Sequence, residues 1–439
     1  MNIPSRILKQ NFLLTSIIGI LAIVGILGQI AASVSADGIL SLDQQAISHI
    51  VYIVVGLILI QAISLIETSY INNAMPIVVI ALTGIILLAA TLLFGPTIAN
   101  VKRWLVIGGI QIQTSEIIKI CSIFIMAYMV DRIFTVDKTE WWLYCFVALY
   151  LLVATLLIFI QPHGSMSIIH LAMVALLFFI FNRSFYQSLY IGVIVVLGGI
   201  GIFGLVASAG SWALIAIILA VVIAIFGLYS SNISWKFILI GAAAAVLLGG
   251  VFYLGWENVL RDYQKERITT FLSPEDNVQD SGFNVEQSLV AIGSGGILGK
   301  GFANGTQSRL QFLPEFRTDF IFASLAEQYG FVGGVVIIAS YLTIVLITLY
   351  YAYKLYDDDK FKSVLLMGFG IKILLEISVN LGTNLALIPA TGIPLPLLSL
   401  GGSNILLSCF SFGLIQSIIS GRVVKIGPLG NFDTEDFLI

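Results

Sequence analysis

Asp319 stands where a polar stretch, Gly305-Thr-Gln-Ser-Arg-Leu-Gln-Phe-Leu-Pro-Glu-Phe-Arg-Thr318, gives way to an apolar one, Phe320-Ile-Phe-Ala323. A carboxylate at the mouth of an apolar helix loses water on one side. That raises its pKa towards the range of a useful general base. Glu315 and Arg317 lie nearby. A structural role is also open: Thr318 or Asp319 could be the N-cap of the helix that follows.

A base needs a reaction to serve, and the basic residues suggest an anionic ligand. Arg261, Lys265 and Arg267 sit in Asp262-Tyr-Gln-Lys-Glu-Arg267 and its preceding residue. They can hold phosphate oxygens, arginine through its planar fork of donors, or simply belong to a solvated helix end. Gly293-Ser-Gly-Gly-Ile-Leu-Gly-Lys-Gly301 looks like a phosphate loop, but Ser294 stands where a Walker motif needs glycine and Gly301 where it needs Ser or Thr. Tight turns are its expected use. Glu116 and Lys119 are three apart, and Lys372 and Glu376 four apart, so each pair falls on one helical face inside an apolar run. Charges so placed pair with each other or face a cavity. Pro389 to Ser403 holds three prolines and three glycines in 15 residues, which rules out one continuous helix. At membrane depth such backbone is buried in protein or lines a wet cavity, and it is expected as a re-entrant segment beside Asp319.

The scaffold behind these residues is a membrane bundle. Of 439 residues, 59% are hydrophobic and only 10% charged, against about 25% charged in a soluble domain. Net charge is -3, which points away from nucleic acid. Cys121, Cys145 and Cys409 are scattered in apolar runs and read as small buried hydrophobes, and His49, His163 and His170 are too dispersed for a metal motif. Apolar runs recur at 12–32, 46–67, 73–94, 115–131, 141–161, 165–182, 186–208, 211–228, 235–255, 329–353, 363–387 and 403–420. They predict an all-α integral membrane protein of about 10–12 helices. The first run is too long for a signal-peptide core and is expected to stay as a helix.

The expected organisation is about nine helices over 1–255, a large extracytoplasmic loop over 256–328, about three helices over 329–421, and a tail over 422–439. With both termini in the cytoplasm, Arg132, Lys138, Arg183, Lys236, Lys354, Lys360, Lys362, Arg422 and Lys425 obey the positive-inside rule. Lys102, Arg103 and the basic residues of the long loop then lie outside; an anionic ligand there would account for them, while the translocation of long loops regardless of charge explains the loop well and the Lys102–Arg103 pair less well. The stretch from Trp256 to Glu327 carries ten acidic and six basic residues, a concentration expected of a reactive or binding surface.

Four blocks resemble one family: Lys102-Arg-Trp-Leu105 with Gln113-Thr-Ser-Glu-Ile-Ile-Lys119; Tyr263-Gln-Lys-Glu-Arg-Ile268; Gln287 through Ala323; and Thr391-Gly-Ile-Pro-Leu-Pro396 through Ser403. They resemble the shape, elongation, division and sporulation (SEDS) family of peptidoglycan polymerases, nearer its RodA branch than its FtsW branch. The resemblance implies an inverting glycosyltransferase that joins lipid II units at the outer face of the bacterial cytoplasmic membrane. Asp319 would be the base on the acceptor 4-hydroxyl. Lys102, Arg103, Arg261, Arg267 and a divalent cation such as Mg or Mn would neutralise the departing undecaprenyl pyrophosphate. Trp104, Glu116, Lys119, Gln307, Glu315, Ser399 and Ser403 would be further substrate contacts. A class B penicillin-binding protein would be the partner. The chain departs from the family at Gln161-Pro-His163, where relatives have Gln-Pro-Asp, at Gln311, where relatives often carry Glu, and in its helix count, usually ten. The competing reading is a flippase for lipid-linked precursors, whose charges would line a path through the midplane; a third is a non-enzymatic scaffold for the penicillin-binding protein.

Overall fold

The computed structural model describes residues 10–34, 39, 41–97, 101–135, 141–161, 163–181, 217–222, 265, 267, 281–310 and 312–421. Arg261, the runs at 186–208 and 235–255, most of that at 211–228 and the tail at 422–439 lie outside the described residues, and the choice between ten and twelve helices lies there with them. Residues 217–222 are helical.

Backbone in hydrocarbon has no water to bond, so the long apolar runs satisfy themselves as helices. In chain order these are α1 (Phe12–Ala31), α2 (Gln44–Ser64), α3 (Ala74–Phe94), α4 (Thr114–Thr135), α5 (Trp141–Ile160), α6 (Gly164–Phe181), α7 (Ser281–Gly295), the one-turn α8 (Thr306–Arg309), α9 (Ile321–Lys354), α10 (Lys360–Asn384) and α11 (Gly402–Ser420). Seven of them, α1, α2, α3, α6, α9, α10 and α11, are long and apolar enough to cross a membrane. Side-chain caps start three: Asn11 accepts from the Leu14 N–H, Asp43 from Ala46 and Asp359 from Lys362.

At the middle is α4, whose Ile118, Ile123 and Ala127 are fully buried. It packs against α3 and α10. On one flank α11 lies on α2, close because small residues face large ones: Gly402 abuts the Tyr52 ring and Gly56 abuts Cys409. The Cys121 and Cys409 thiols are free and buried.

Just before α4 the chain makes a hairpin, β1 (Trp104–Ile107) against β2 (Ile110–Gln113), with Trp104 opposite Gln113. Its two-residue turn is Gly108-Gly109, both at positive φ (60° and 83°), as a tight hairpin with right-handed strand twist demands. The hairpin fixes Arg103 and Gln113 at the head of α4.

The glycine-rich loop has an unexpected use. Helix α9 is broken at Gly330 (φ 68°, ψ −167°). In an unbroken helix the N–H groups of Phe331 and Val332 would bond to the carbonyls of Glu327 and Gln328. Here the loop is inserted between them. Lys300 and Gly301 donate to the carbonyls of Glu327 and Gln328, while Phe331 and Val332 donate to the carbonyls of Gly296 and Ile297, at 2.9–3.2 Å. All four orphaned groups are satisfied, so the break is stable at a buried position. The apolar run expected over 329–353 follows the break, and a further helical segment, starting at Ile321, precedes it. A Cβ on Gly299 (φ 82°) would sit 2.1 Å from the Gln328 carbonyl oxygen. Gly299→Ala is therefore expected to cost at least about 1–3 kcal/mol. A lowered Tm and new protease cleavage between 295 and 301 would register it; an unchanged Tm would contradict the insertion.

Candidate active site

Three consecutive carbonyls, those of residues 317, 318 and 319, are each held by buried side chains. Gln29 of α1 donates to Arg317 O at 3.0 Å, as does the Leu400 N–H at 2.8 Å. Ser399 donates to Thr318 O at 2.6 Å. Asn380 and Asn384 of α10 both donate to Asp319 O, at 2.9 and 3.0 Å. The 389–403 segment is laced into the same place. Asn380 also donates to Ile393 O at 2.7 Å, the Leu395 N–H donates to Ser399 Oγ at 2.8 Å, and Tyr341 donates to Pro396 O. This irregular backbone is buried in protein, with Ile393, Leu395, Leu397, Leu398 and Ser399 at 0–1% exposure.

The capping role considered for Asp319 is not the one it has. The N-cap of α9 is Phe320 and it makes no side-chain cap bond. The first turn is capped from a neighbouring helix instead: Asn384 Oδ1 accepts from the Ala323 N–H at 3.1 Å. That leaves the Asp319 carboxylate unspent, with no hydrogen-bond partner among the described residues. Gly392, at φ 73°, brings its backbone alongside; a Cβ there would lie 3.5 Å from Asp319 Oδ2.

Burial pushes the Asp319 carboxyl up, and the Glu315 charge adds to this. Arg267 and Arg103 pull the other way, and the balance is a pKa of about 6. Such a group is mostly ionised at neutral pH yet basic enough to take a proton. His163 belongs to the same setting. Burial, then the charges of Arg103, Lys119 and Arg267, hold its imidazole well below the usual range, so it is neutral. Its Nδ1 lies 3.4 Å from both Gln113 Nε2 and Ser115 Oγ. Arg267 is fixed by donating to the Ala390 carbonyl at 3.2 Å. His163 thus stands among the charges that tune Asp319. The acid limb of the pH–rate profile should respond to these neighbours. Glu315→Gln removes a negative charge and is expected to move the limb to lower pH; Arg267→Gln removes a positive one and should move it higher. Shifts in the same direction, or none, would contradict this electrostatic account.

The two intramembrane pairs merge into one ring. Lys119 Nζ is 2.8 Å from Glu116 and 2.6 Å from Glu376, and Lys372 is 2.8 Å from Glu376 and 4.0 Å from Glu116. Side-chain exposure is at most 2%. The ring is neutral overall and bolts α4 to α10. On α10 it continues as a stripe at every fourth residue, Lys372, Glu376, Asn380, Asn384, which share one helical face. The stripe runs from the ring to the Asp319 carbonyl.

The expected site residues therefore divide. Arg103, Arg267 and Glu315 act on Asp319. Lys102 leads into β1 and Trp104 begins it, both half-buried. Ser403 accepts from the Gln113 N–H at 3.4 Å, at the hairpin's end. Glu116 and Lys119, expected as substrate contacts, pair within the buried ring, where compensating charges are stable without water because they face each other. Ser399 is likewise a buried fastener. Gln307 lies in another cluster: the buried Glu327 carboxylate accepts from the Thr306 and Gln307 N–H groups at 2.8 and 3.1 Å and from Lys300 at 2.7 Å, capping α8. Gln29, Asn380 and Asn384 complete the site without having been singled out from sequence, and Gln113 and Ser115 join them from the block at 113–119. Among the described residues the charged groups that act on Asp319 are Glu315, Arg267 and Arg103, a set poor in ligands for a divalent cation. Among the described residues no three His, Cys, Asp or Glu side chains gather.

The fold and site define a polytopic helical membrane protein with a desolvated carboxylate facing arginines. A family model, that of the FtsW, RodA and SpoVE cell cycle proteins, matches residues 7–216 and 205–422. The chain is 32% identical over 338 residues to the peptidoglycan glycosyltransferase MrdB of Escherichia coli (strain K12), covering 77% of this chain and 76% of that one. It is 29% identical over 415 residues to the peptidoglycan glycosyltransferase RodA of Treponema pallidum (90% and 94% covered). Among solved structures it is similar to a chain of a peptidoglycan synthase complex that coordinates polymerization and crosslinking, with a TM-score of 0.65 at 21% identity (93% and 97% covered). It is also similar to the rod shape determining protein RodA of Thermus thermophilus, with a TM-score of 0.55 at 19% identity (94% and 97% covered). The chain belongs to the FtsW, RodA and SpoVE family.

Proposed function

We propose that this protein is a peptidoglycan glycosyltransferase that polymerises lipid II into glycan strands at the outer face of the bacterial cytoplasmic membrane, serving cell elongation and shape or division. Both termini are in the cytoplasm, and a class B penicillin-binding protein supplies the crosslinking. What carries the reading is the Asp319 carboxylate, largely desolvated, with a pKa of about 6 and arginines for neighbours, in a chain of this family.

Asp319 takes the proton of the acceptor sugar's 4-hydroxyl as that oxygen attacks the donor's anomeric carbon. The bond from that carbon to the pyrophosphate oxygen breaks, the configuration inverts, and undecaprenyl pyrophosphate leaves with the bonding pair. Arg103 and Arg267, with Lys102 and Arg261, offset its negative charge as it develops. The rigid seat of residues 317–319 supports this role, because a misplaced base loses most of its effect. The sealed ion ring supports polymerisation over transport: the intramembrane charges are spent on each other rather than lining a path.

The purified protein, with and without a co-expressed class B penicillin-binding protein, is incubated with fluorescent lipid II and the products run on a gel. Glycan ladders are expected. Their absence under both conditions, together with transbilayer movement of lipid II in proteoliposomes, would replace the polymerase by the flippase.

A further inference from the structure

Arg317, two residues before Asp319, spends its side chain on the connection between α1 and α2. One guanidinium nitrogen pairs with the Asp43 carboxylate at 2.6 Å and donates to Gln45 Oε1 at 3.0 Å, and the other donates to the Ala32 carbonyl. Asp43 is itself held, accepting from the Ala46 N–H at 2.9 Å and from Ser33 Oγ at 3.2 Å. Burial opposes its charge, yet these hydrogen bonds and Arg317 keep its carboxyl below the usual range. Asp43 remains 39% exposed, and a pair of that kind adds little to stability. Three acceptors converging on one planar fork fix geometry instead.

That geometry is passed to the reactive segment. The carbonyl of Arg317 is pinned by Gln29 of α1, so both ends of this residue are tied to α1 and its link to α2. Glu315 adopts φ 53°, a left-handed conformation that a non-glycine residue keeps only when its surroundings force it. We propose that Arg317 and Asp43 are positioning residues for the reaction: their ion pair straps the segment carrying Asp319 to the outer end of the first two helices and so sets where the carboxylate stands. The proposal rests on the polymerase reading.

Two variants of Asp43 separate this role from plain helix capping. Asparagine caps a helix about as well as aspartate but carries no charge; glutamate keeps the charge but caps poorly. Initial rates of lipid II polymerisation are measured against lipid II concentration on the full-length protein with its partner. Asp43→Asn is expected to lower kcat about tenfold with KM little changed, as a displaced base would, and Asp43→Glu to retain most of kcat. Arg317→Lys, which keeps charge without the fork, should fall between. The reverse order, with Asp43→Asn at the wild-type rate and Asp43→Glu impaired, would make Asp43 a cap and overturn the proposal. So would a loss confined to KM. Should Asp43→Asn fail to fold, Arg317→Lys decides: a wild-type kcat there overturns the strap. A wild type that forms no polymer overturns the polymerase reading itself, and the strap with it.

Discussion

Asp319→Asn is expected to slow glycan-strand formation by about 10²–10⁴-fold, the range for loss of a positioned general base. The amide has nearly the same shape and no basic oxygen. The seat of residues 317–319 is built on backbone carbonyls rather than on this carboxylate, through Gln29, Ser399, Asn380 and Asn384. The variant should therefore fold and melt like the wild type. Any change in Tm is expected to be a small gain, since an ionised group in a desolvated place opposes folding. A loss of activity without a loss of Tm is the signature to look for in lipid II polymerisation and thermal melts of one preparation. Equal rates for variant and wild type would remove Asp319 from the chemistry.

The largest stability effect belongs to the ion ring. Lys119→Met leaves Glu116, Lys372 and Glu376 with a net buried charge of one. Breaking a buried network by deleting one partner costs about 3–5 kcal/mol, because an uncompensated charge remains. The double variant Lys119→Met with Glu376→Gln leaves Glu116 and Lys372, which are already 4.0 Å apart, as a neutral pair. It should melt above the single variant although it has lost more ionic contacts. A Tm for the double variant below that of the single one would show that the ring stabilises by its attractions and not merely by neutrality. Because α10 also carries Asn380 and Asn384, the single variant should reduce polymerisation as well.

Much of this was legible in the sequence for a physical reason. Hydrocarbon permits few backbone solutions, so apolar run lengths translate almost directly into α1 to α6, α10 and α11. Charges inside those runs had to pair, and their i+3 and i+4 spacing named the partners within each helix. That the two pairs form one ring depends on how α4 packs against α10, which spacing within one helix does not carry. The Gly108-Gly109 hairpin is encoded by short β-branched runs around two glycines, a weak signal between the strong apolar patterns of α3 and α4. Asn380 and Asn384 extend the four-residue spacing of Lys372 and Glu376, a signal that could have been followed. Gln29, one polar residue in an apolar run, gave no hint of its partner 288 residues away. The loop inserted at Gly330 was the least legible. Its glycines announced turns, but only the packed structure shows that the turns replace a helix's own missing bonds.

The pH dependence of lipid II polymerisation, from about pH 4.5 to 8.5, is the most direct test of Asp319 as the base. The wild-type rate should fall about tenfold per pH unit below a midpoint near 6, while the residual rate of Asp319→Asn stays flat across that range. A wild-type rate that is level through pH 6, or an Asp319→Asn variant that keeps the same acid limb, would contradict it.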